Sequence, residues 1–495
     1  MSFNCPNPID GFGFSPERIE EAVARRGLLS MEIEFSRVCN FRCPYCYNPN
    51  ASAEAGEPMT SPEIDSALLQ ARDLGAEKII VLGGEPMIYP LIRNKIEFIR
   101  RHGMAVEMFT NGSCMTEGNA RFMFEHEVAV VLKINSFKAD LQNRMTGRKD
   151  AYDIIWSAFE NLKKAGYPAP GRRLAVSTVI TRGNLAEMPG LWRWLRGQGV
   201  EPYFEMITPQ GGATVAADIE VSPEEHCRLF DELAAIDRSE FGHSWRPQPP
   251  LVGNSCLRHR FSCLLNAYGE VMPCVGVTIP LGSIRQQPLR EILDKSEVLE
   301  NLRDYTAKIK EPCASCDQAA GCYGCRGAAY QLTGDYLAAD PMCWRNQGKS
   351  VESLPVGARP FLPHREPILL VDQILSVGER CAELCVRVPE SGSLLVGEDG
   401  VLEAAACVEI VAQSFASVHG FQAARGLARN PAVRGYLLGA KGFAMRREIR
   451  AGDRLLVRLR KVGRYGDFGV VEGTILRDGE ELTRGEVNVY QEAAS

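Results

Sequence analysis

The sequence predicts an α/β core with a parallel sheet, a small cysteine-rich segment after it, and an α+β domain at the C-terminal end. Three observations carry that prediction. Six apolar, strand-like runs alternate with helical patterns between residues 29 and 240, the order that builds a parallel sheet. Most of the 17 cysteines fall in two dense groups, not in dispersed pairs. After residue 400, one alanine-rich apolar helix is followed by long alternating strands, which reads as a helix wrapped by an antiparallel sheet.

Composition sets the outer limits. At 495 residues the chain is too long for one ordinary domain. Hydrophobic residues make up 45% and charged residues 24%, so each block can bury a core. The net charge of -6 gives no support to nucleic-acid binding. No run approaches the length of a membrane span, and Met1-Ser2-Phe3-Asn4-Cys5 lacks a basic-then-apolar signal pattern. A cytoplasmic location without a membrane partner is expected. There, reduced thiols serve as metal ligands more readily than as disulfides.

The elements follow in chain order. Residues 1–28 form an N-terminal extension without a motif, in which 16–26 reads as a surface helix. Strand-like runs occupy 31–35, 78–82, 105–110, 128–135, 174–180 and 202–207. One helix begins at Ser61-Pro62, carries Ile64, Leu68 and Ala71 on one face and stops at Gly75. Another spans 185–195 with Met188, Leu191 and Trp192. Such repeats fit a doubly wound sheet or a partial barrel. In a barrel, functional residues sit at the C-terminal strand ends.

Those ends carry the chemistry. After the first strand comes Cys39-Asn40-Phe41-Arg42-Cys43-Pro44-Tyr45-Cys46, spaced C-x3-C-x2-C. Three thiolates so placed converge on one soft metal centre. A closed structural site wants four ligands, so one coordination position stays open. The second strand ends in Gly83-Gly84-Glu85-Pro86, two glycines that expose backbone carbonyls and then a carboxylate. That acceptor edge suits an ammonium group. The third strand ends in Thr110-Asn111-Gly112 and the fourth in Asn135-Ser136, both placed to reach a cofactor. Arg144 and Arg148 are candidates for a cofactor carboxylate by position alone, against the alternative of solvated surface arginines. Glu205, in the sixth strand, points either into the barrel or out of it.

The cysteine loop, with Tyr45 just before its third cysteine, resembles the signature of the radical S-adenosylmethionine enzymes. The resemblance implies a partial (β/α)6 TIM-type barrel over residues 29–240 and a [4Fe-4S] cluster on Cys39, Cys43 and Cys46. It implies that the open iron binds S-adenosylmethionine, whose reductive cleavage releases a hydrogen-abstracting 5'-deoxyadenosyl radical. Gly83, Gly84, Glu85 and Pro86 would hold the cofactor's amino group, with Asn111, Asn135, Ser136 and Arg144 near its ribose or carboxylate. An electron donor such as flavodoxin or ferredoxin is expected. A zinc knuckle without its fourth ligand is the bland alternative.

Residues 241–350 hold the second cysteine group, after the linker-like Pro247-Gln248-Pro249-Pro250. It comprises Cys256, Cys263, Cys274, Cys313, Cys316, Cys322, Cys325 and Cys343, with Tyr268-Gly269-Glu270 reading as a hairpin turn. The spacing resembles the SPASM extension of radical S-adenosylmethionine enzymes, with two residues rather than three before Cys325. The resemblance implies one auxiliary [4Fe-4S] cluster on Cys256, Cys263, Cys274 and Cys325, and another on Cys313, Cys316, Cys322 and Cys343. With the radical cluster that makes three. Fully ligated auxiliary clusters would relay electrons. Cys263 has a second reading as an ordinary buried strand cysteine, and two zinc sites are the alternative to both clusters. In sulfatase-maturing relatives an aspartate follows the cysteine matched to Cys274. Here it is Val275, which disfavours formylglycine formation.

Residues 351–495 begin with Pro355, Pro360, Pro363 and Pro367, and their Cys381, Cys385 and Cys407 read as small core residues. The apolar helix is expected over 402–419, ended by Gly420. An alternating strand covers 455–460, and a hairpin follows at Asp478-Gly479. One helix wrapped by such a sheet is a hotdog fold. Leu362-Pro363-His364-Arg365-Glu366-Pro367, Leu369-Leu370-Val371-Asp372 and Glu409-Ile410-Val411-Ala412-Gln413 resemble 3-hydroxyacyl-carrier-protein dehydratases. Those enzymes use a histidine ahead of the helix glutamate, where this chain has Ser391-Gly392-Ser393-Leu394-Leu395. Glu409 is either a retained catalytic acid or a polar residue of a dimer core. Either His364 supplies the base from another direction, or the domain binds acyl thioesters without dehydrating them, the favoured reading.

The combined expectation is a radical enzyme acting on an acyl or amino-acyl group of an acyl carrier protein, dimeric through its hotdog domain. Arg446, Arg447, Arg450, Arg458, Arg460 and Lys461 could meet an acidic carrier, or form the solvated face of a strand pair. The rivals are a peptide-modifying maturase and a non-catalytic dimerising scaffold.

Overall fold

The computed structural model describes residues 14–48, 56–214, 219–346, 355–364, 367–378, 381–390, 395–424, 432–465 and 468–493. The expectations for residues 1–13, Arg365, Glu366 and 391–394 lie outside them. Two compact units emerge: 1–331 with 336–350, and 332–335 with 351–495.

In the first unit six parallel strands stand in sequence order: β1 (Ser30–Glu34), β2 (Lys78–Leu82), β3 (Ala105–Thr110), β4 (Val128–Lys133), β5 (Leu174–Ile180) and β6 (Glu201–Met206). α1 (Pro16–Ala24) precedes them, and helices separate them: α2 (Ser61–Asp73), α3 (Ile92–Arg101), α4 (Glu117–Glu125), α5 (Ala139–Thr146), α6 (Ala151–Ala165) and α7 (Met188–Gly197), with α8 (Pro223–Ile236) after β6. This is the partial barrel. Local chemistry fixes the boundaries: α2 starts at a Thr60–Glu63 capping box and ends before Gly75, whose φ is +95°.

Strand alternation sorts the side chains into two layers. Met31, Ile33, Ile79, Val81, Val106 and Met108 pack outward with Ile64, Leu68, Ile96, Ile99 and Trp192 of the helices. Glu32, Ile80, Leu82, Phe109, Val131 and Tyr203 face inward. Phe14, Ile19 and Ala22, at and just before α1, pack with Ile80 and Phe109 beneath that interior.

The cysteine-rich segment extends this sheet. β7 (Leu264–Leu265) runs parallel to β1, and β8 (Glu270–Met272) and β9 (Gly282–Ser283) follow antiparallel. The hairpin turns at Gly269, with φ +85°. The stretch 247–250 is no free linker. Met206 N donates to Pro250 O at 2.9 Å and Val252 N to Phe204 O at 2.9 Å, so the chain here pairs along β6.

The second unit is an antiparallel sheet of β10 (Val356–Gly357), β11 (Val371–Val377), β12 (Cys381–Arg387), β13 (Ala432–Lys441), β14 (Arg454–Tyr465), β15 (Phe468–Arg477) and β16 (Glu480–Ala493), in the order 10-11-12-14-15-16-13. It wraps the core helix Ala404–Ala424, as a hotdog fold does. Asp478 and Gly479 make the expected tight turn, both at positive φ.

Three expectations need correction here. The core helix continues through Gly420, because that glycine serves packing: a Cβ there would lie 2.6 Å from Phe361 O. Cys381 is exposed, since β12 turns Ala382, Leu384 and Val386 inward and the alternate positions outward. The segment Ala404–Gln422 does reach membrane-span length and composition, although half of it is buried. Its Ile410, Val411 and Val418 lie in the core of this unit.

Candidate active site

A cavity of about 310 Å³ lies at the C-terminal strand ends of the barrel. Cys39, Cys43, Cys46, Gly83, Gly84, Glu85 and Asn111 line one side. Cys256, Cys274 and Cys325 line another, and Lys133, Ser177 and Glu205 of β4, β5 and β6 stand between.

Close backbone packing builds the first side. Gly84 N donates to Ser36 O at 3.0 Å and Glu85 N to Val38 O at 2.9 Å. A Cβ on Gly84 would sit 1.9 Å from Val38 O, so glycine here is required by the approach of the cysteine loop. The Gly83 carbonyl accepts the Tyr47 hydroxyl at 3.3 Å. From the opposite side Gly212 N donates to Cys46 O at 2.9 Å, where a Cβ would lie 2.4 Å from Pro44 O.

Glu85 is buried and its carboxylate ties two strand ends together. It accepts from Met87 N at 3.0 Å, Thr110 Oγ1 at 2.6 Å and Asn111 N at 2.7 Å. Burial still raises its pKa against those hydrogen bonds. Asn111 Nδ2 in turn meets Asn40 Oδ1 at 2.9 Å and Cys39 Sγ at 3.8 Å.

Four other candidates stand apart from the lining. Asn135 is buried, donating to Tyr45 OH at 2.7 Å and accepting from Val179 N at 3.1 Å. The Ser136 hydroxyl donates to Glu187 Oε2 at 2.7 Å. Pro86 is buried in a short 3-10 turn, and Arg144 is exposed on α5. Arg148 pairs with Asp150 at 2.7 Å. Asn135 therefore positions the aromatic residue of the cysteine loop. Glu205 faces into the cavity, 3.6 Å from Lys133 Nζ and 3.4 Å from the Ser177 hydroxyl. Val275 lines the wall as well.

The donor chemistry of the cysteines fits iron-sulfur ligation. N–H groups reach Cys39 and Cys46 at 3.4 Å, Cys274 at 3.4 Å, and Cys322 and Cys325 at 3.3 Å. Asn346 Nδ2 reaches Cys313 at 3.3 Å. Such donors stabilise charge on sulfur. Burial pushes the Cys43 thiol up to about 12, with Cys46 and Cys39 adding to the rise. Burial likewise pushes Cys325 up to about 12, helped by Asp340, Cys256 and Cys274. Cys343 reaches about 12 through burial, Asp340, Cys313 and Cys322. Three neighbourhoods result, and ligation in each must displace protons. Cys316 lies beside Asp317. Cys263 is in none of them: it is buried in the apolar layer outside the barrel, with Arg303 and Glu32 as its charged neighbours. Among the described residues no three His, Cys, Asp or Glu gather around a single-ion site.

Buried Asp340 joins two of these neighbourhoods. Its carboxylate accepts from Cys325 N at 2.7 Å and Met342 N at 2.9 Å, and Gly324, at φ +62°, makes room for it.

In the second unit the three quoted stretches converge. His364 Nε2 lies 3.5 Å from Glu409 Oε1. Gln413 Nε2 donates to the same oxygen at 2.8 Å and to Ile368 O at 2.6 Å, while Leu370 N donates to Gln413 Oε1 at 3.0 Å. The basic patch fares differently. Arg446, Arg447, Arg450, Arg458 and Arg460 pair with Glu481, Glu480, Glu448, Glu383 and Glu472, and Lys461 meets Gln422. Local carboxylates neutralise its five arginines.

Lys133, Gln210, Gly212, Arg258, His259 and Arg326 had no place in the sequence reading. The lysine at the end of β4 and the Gly211-Gly212 pair just after β6 were the available signals, since both fall at strand ends.

Comparison with known proteins agrees with these parts. The Radical SAM superfamily model matches residues 33–191, the SPASM iron-sulfur cluster-binding domain 256–317 and the ApeP-like dehydratase model 356–495. An AdoMet-dependent heme synthase of Methanosarcina barkeri is 25% identical over 64% of this chain and 96% of its own. A PqqA peptide cyclase of Streptomyces rochei is 27% identical over 65% and 90%. The crystal structure of Streptococcus suis SuiB bound to S-adenosylmethionine superposes with a TM-score of 0.52 at 15% identity, covering 64% of this chain and 78% of that one, a likeness of fold. The chain is a radical S-adenosylmethionine enzyme with a SPASM iron-sulfur segment, and its C-terminal unit is an ApeP-like dehydratase domain of hotdog type.

Proposed function

We propose that this enzyme acts on an acyl or amino-acyl group carried as a thioester on a carrier protein, which the hotdog unit binds. One observation carries the reading: an ApeP-like segment in which His364, Glu409 and Gln413 meet is fused to a radical S-adenosylmethionine core. Cys39, Cys43 and Cys46 would hold the radical cluster, which supplies the electron that splits S-adenosylmethionine into methionine and a 5'-deoxyadenosyl radical. The two auxiliary neighbourhoods would bring the count to three clusters. Around them the chain's own residues orient and shield. Glu85 fixes Asn111 beside Cys39, the Gly84 contact presses the cysteine loop onto β2, and Lys133 with Glu205 offers a donor and an acceptor to the substrate. Apolar Val275 places no proton acceptor on its wall.

A flavodoxin or ferredoxin would supply electrons, and a reducing cytoplasm suits the thiols. The edge position of β13 supports a homodimer. This strand exposes Tyr436, Leu437 and Leu438, the kind of edge that a second copy covers. The peptide-modifying reading keeps a place because of the peptide cyclase relative.

The deciding experiment incubates the reduced, reconstituted enzyme with deuterated acyl-phosphopantetheinyl carrier protein or with short peptides. Deuterium in 5'-deoxyadenosine from the acyl carrier is the expected result. Stimulation by peptides alone would sink the carrier reading.

A further inference from the structure

We propose that His259, and not Cys263, completes the coordination of the cluster held by Cys256, Cys274 and Cys325. The inference rests on the reading that these three cysteines share one auxiliary cluster.

Strand register removes Cys263. β7 pairs with β1 so that Leu264 stands beside Glu32 and Leu265 beside Ile33. Paired residues share a face and successive residues alternate. Glu32 faces the cavity, whereas Met31 and Ile33 face the helical layer. Leu264 is therefore on the cavity side, and Cys263 and Leu265 lie on the other, inside the outer apolar core. Cys263 is 1% exposed, and its carbonyl accepts from Glu32 N at 2.9 Å. Turning its sulfur to the cavity would slip β7 by one residue and expel Leu265 from the core.

His259 occupies the place that this leaves. It lines the same cavity as Cys256, Cys274 and Cys325, on a short turn (Arg258–Arg260), and is 1% exposed. Its Nδ1 lies 3.0 Å from the Tyr323 hydroxyl, and that hydroxyl lies 4.0 Å from Cys256 Sγ. Tyrosine has one proton to give. Donated toward the sulfur, it leaves the phenol oxygen to accept from Nδ1–H, which fixes the tautomer and leaves a lone pair on Nε2. Nε2 is buried without a hydrogen-bond partner, a costly state for a polar atom. A metal ligand resolves it: ligating imidazoles characteristically have their other nitrogen held by an oxygen partner, as Tyr323 holds Nδ1 here. Imidazole in place of thiolate is known on cluster iron and raises the potential.

The test uses full-length protein with Cys39, Cys43 and Cys46 replaced by alanine, so that only auxiliary clusters remain. After anaerobic reconstitution and reduction, pulsed EPR should detect a directly bound nitrogen, with the coupling changed by 15N-histidine labelling. His259→Cys should keep the auxiliary iron, lose that coupling and lower the potential. Cys263→Ala should keep both iron and coupling. Full auxiliary iron with no nitrogen coupling, or loss of about four irons in Cys263→Ala alone, would overturn the proposal. A protein that takes up no auxiliary iron would overturn the shared-cluster reading itself, and this inference with it.

Discussion

The two units hold their functional polar groups in opposite ways. Around the barrel cavity they are buried and already spent on one another: Glu85 on Thr110 and Asn111, Asn135 on Tyr45, Asp340 on the turn that carries Cys325. In the hotdog unit ion pairs such as Arg447–Glu480 and Arg458–Glu383 are exposed, and His364–Glu409–Gln413 is more enclosed than they are. Buried partners cannot be replaced by water, so their loss is expensive, whereas exposed pairs are worth little. A site for radical chemistry is thus built into the scaffold. The hotdog site depends on one short constellation.

Several changes would sharpen or break this contrast, the largest first. Replacing Cys39, Cys43 and Cys46 together with alanine should abolish cleavage of S-adenosylmethionine and remove about four irons. Residual 5'-deoxyadenosine at the wild-type rate would place the radical site elsewhere. Gly84→Ala should lose most cluster and cleavage, because its Cβ would meet Val38 O at 1.9 Å and neither backbone can yield cheaply. Normal iron content in that variant would show that the loop tolerates displacement.

Glu85→Ala strands three donors and should weaken S-adenosylmethionine binding ten- to hundredfold, from hydrogen bonds to charge worth roughly 1.5–3 kcal/mol. Isothermal titration checks it, and an unchanged affinity would make Glu85 purely structural. Acid should act on the first unit through His226. Burial pushes this residue down to about 4 from an ordinary 6.5. Between those values the unfolded chain binds the extra proton, so stability is complete above pH 6.5 and falls as pH drops toward 4, by on the order of 3 kcal/mol. Thermal unfolding of His226→Phe should show a flatter acid limb, and an identical limb would remove His226 from the account. Smallest of all, Arg458→Ala and Arg460→Ala should each leave the melting temperature nearly unchanged, since exposed pairs contribute little, and leave carrier affinity unchanged. A clear loss of carrier binding would restore the basic patch as a docking surface.

Local chemistry made much of the molecule legible in the chain. Three of the six barrel strands and the α2 helix follow directly from hydrophobic period and capping residues that act over a few positions. The bounds of β1, β4 and β6 shift by only one or two residues. The C-x3-C-x2-C loop was readable because its three cysteines share one short stretch of chain. The roles of Asn135, Ser136 and Arg144 were not, because position at a strand end does not say which way a side chain turns or what already occupies it.

What the sequence determined by itself was therefore the elements, the cysteine spacings and the dehydratase-like stretches, all set by short-range periodicity and turn chemistry. Tertiary structure alone decided the rest. Register between β7 and β1 put Cys263 on the outer face, and the approach of segments far apart in sequence gave Gly84 and Gly212 their purpose. Packing of Tyr323 against His259 Nδ1 left the other ring nitrogen buried without a hydrogen-bond partner, in a residue that lines the same cavity as the cysteines. Contacts of that kind depend on which faces meet, and no local pattern encodes the meeting.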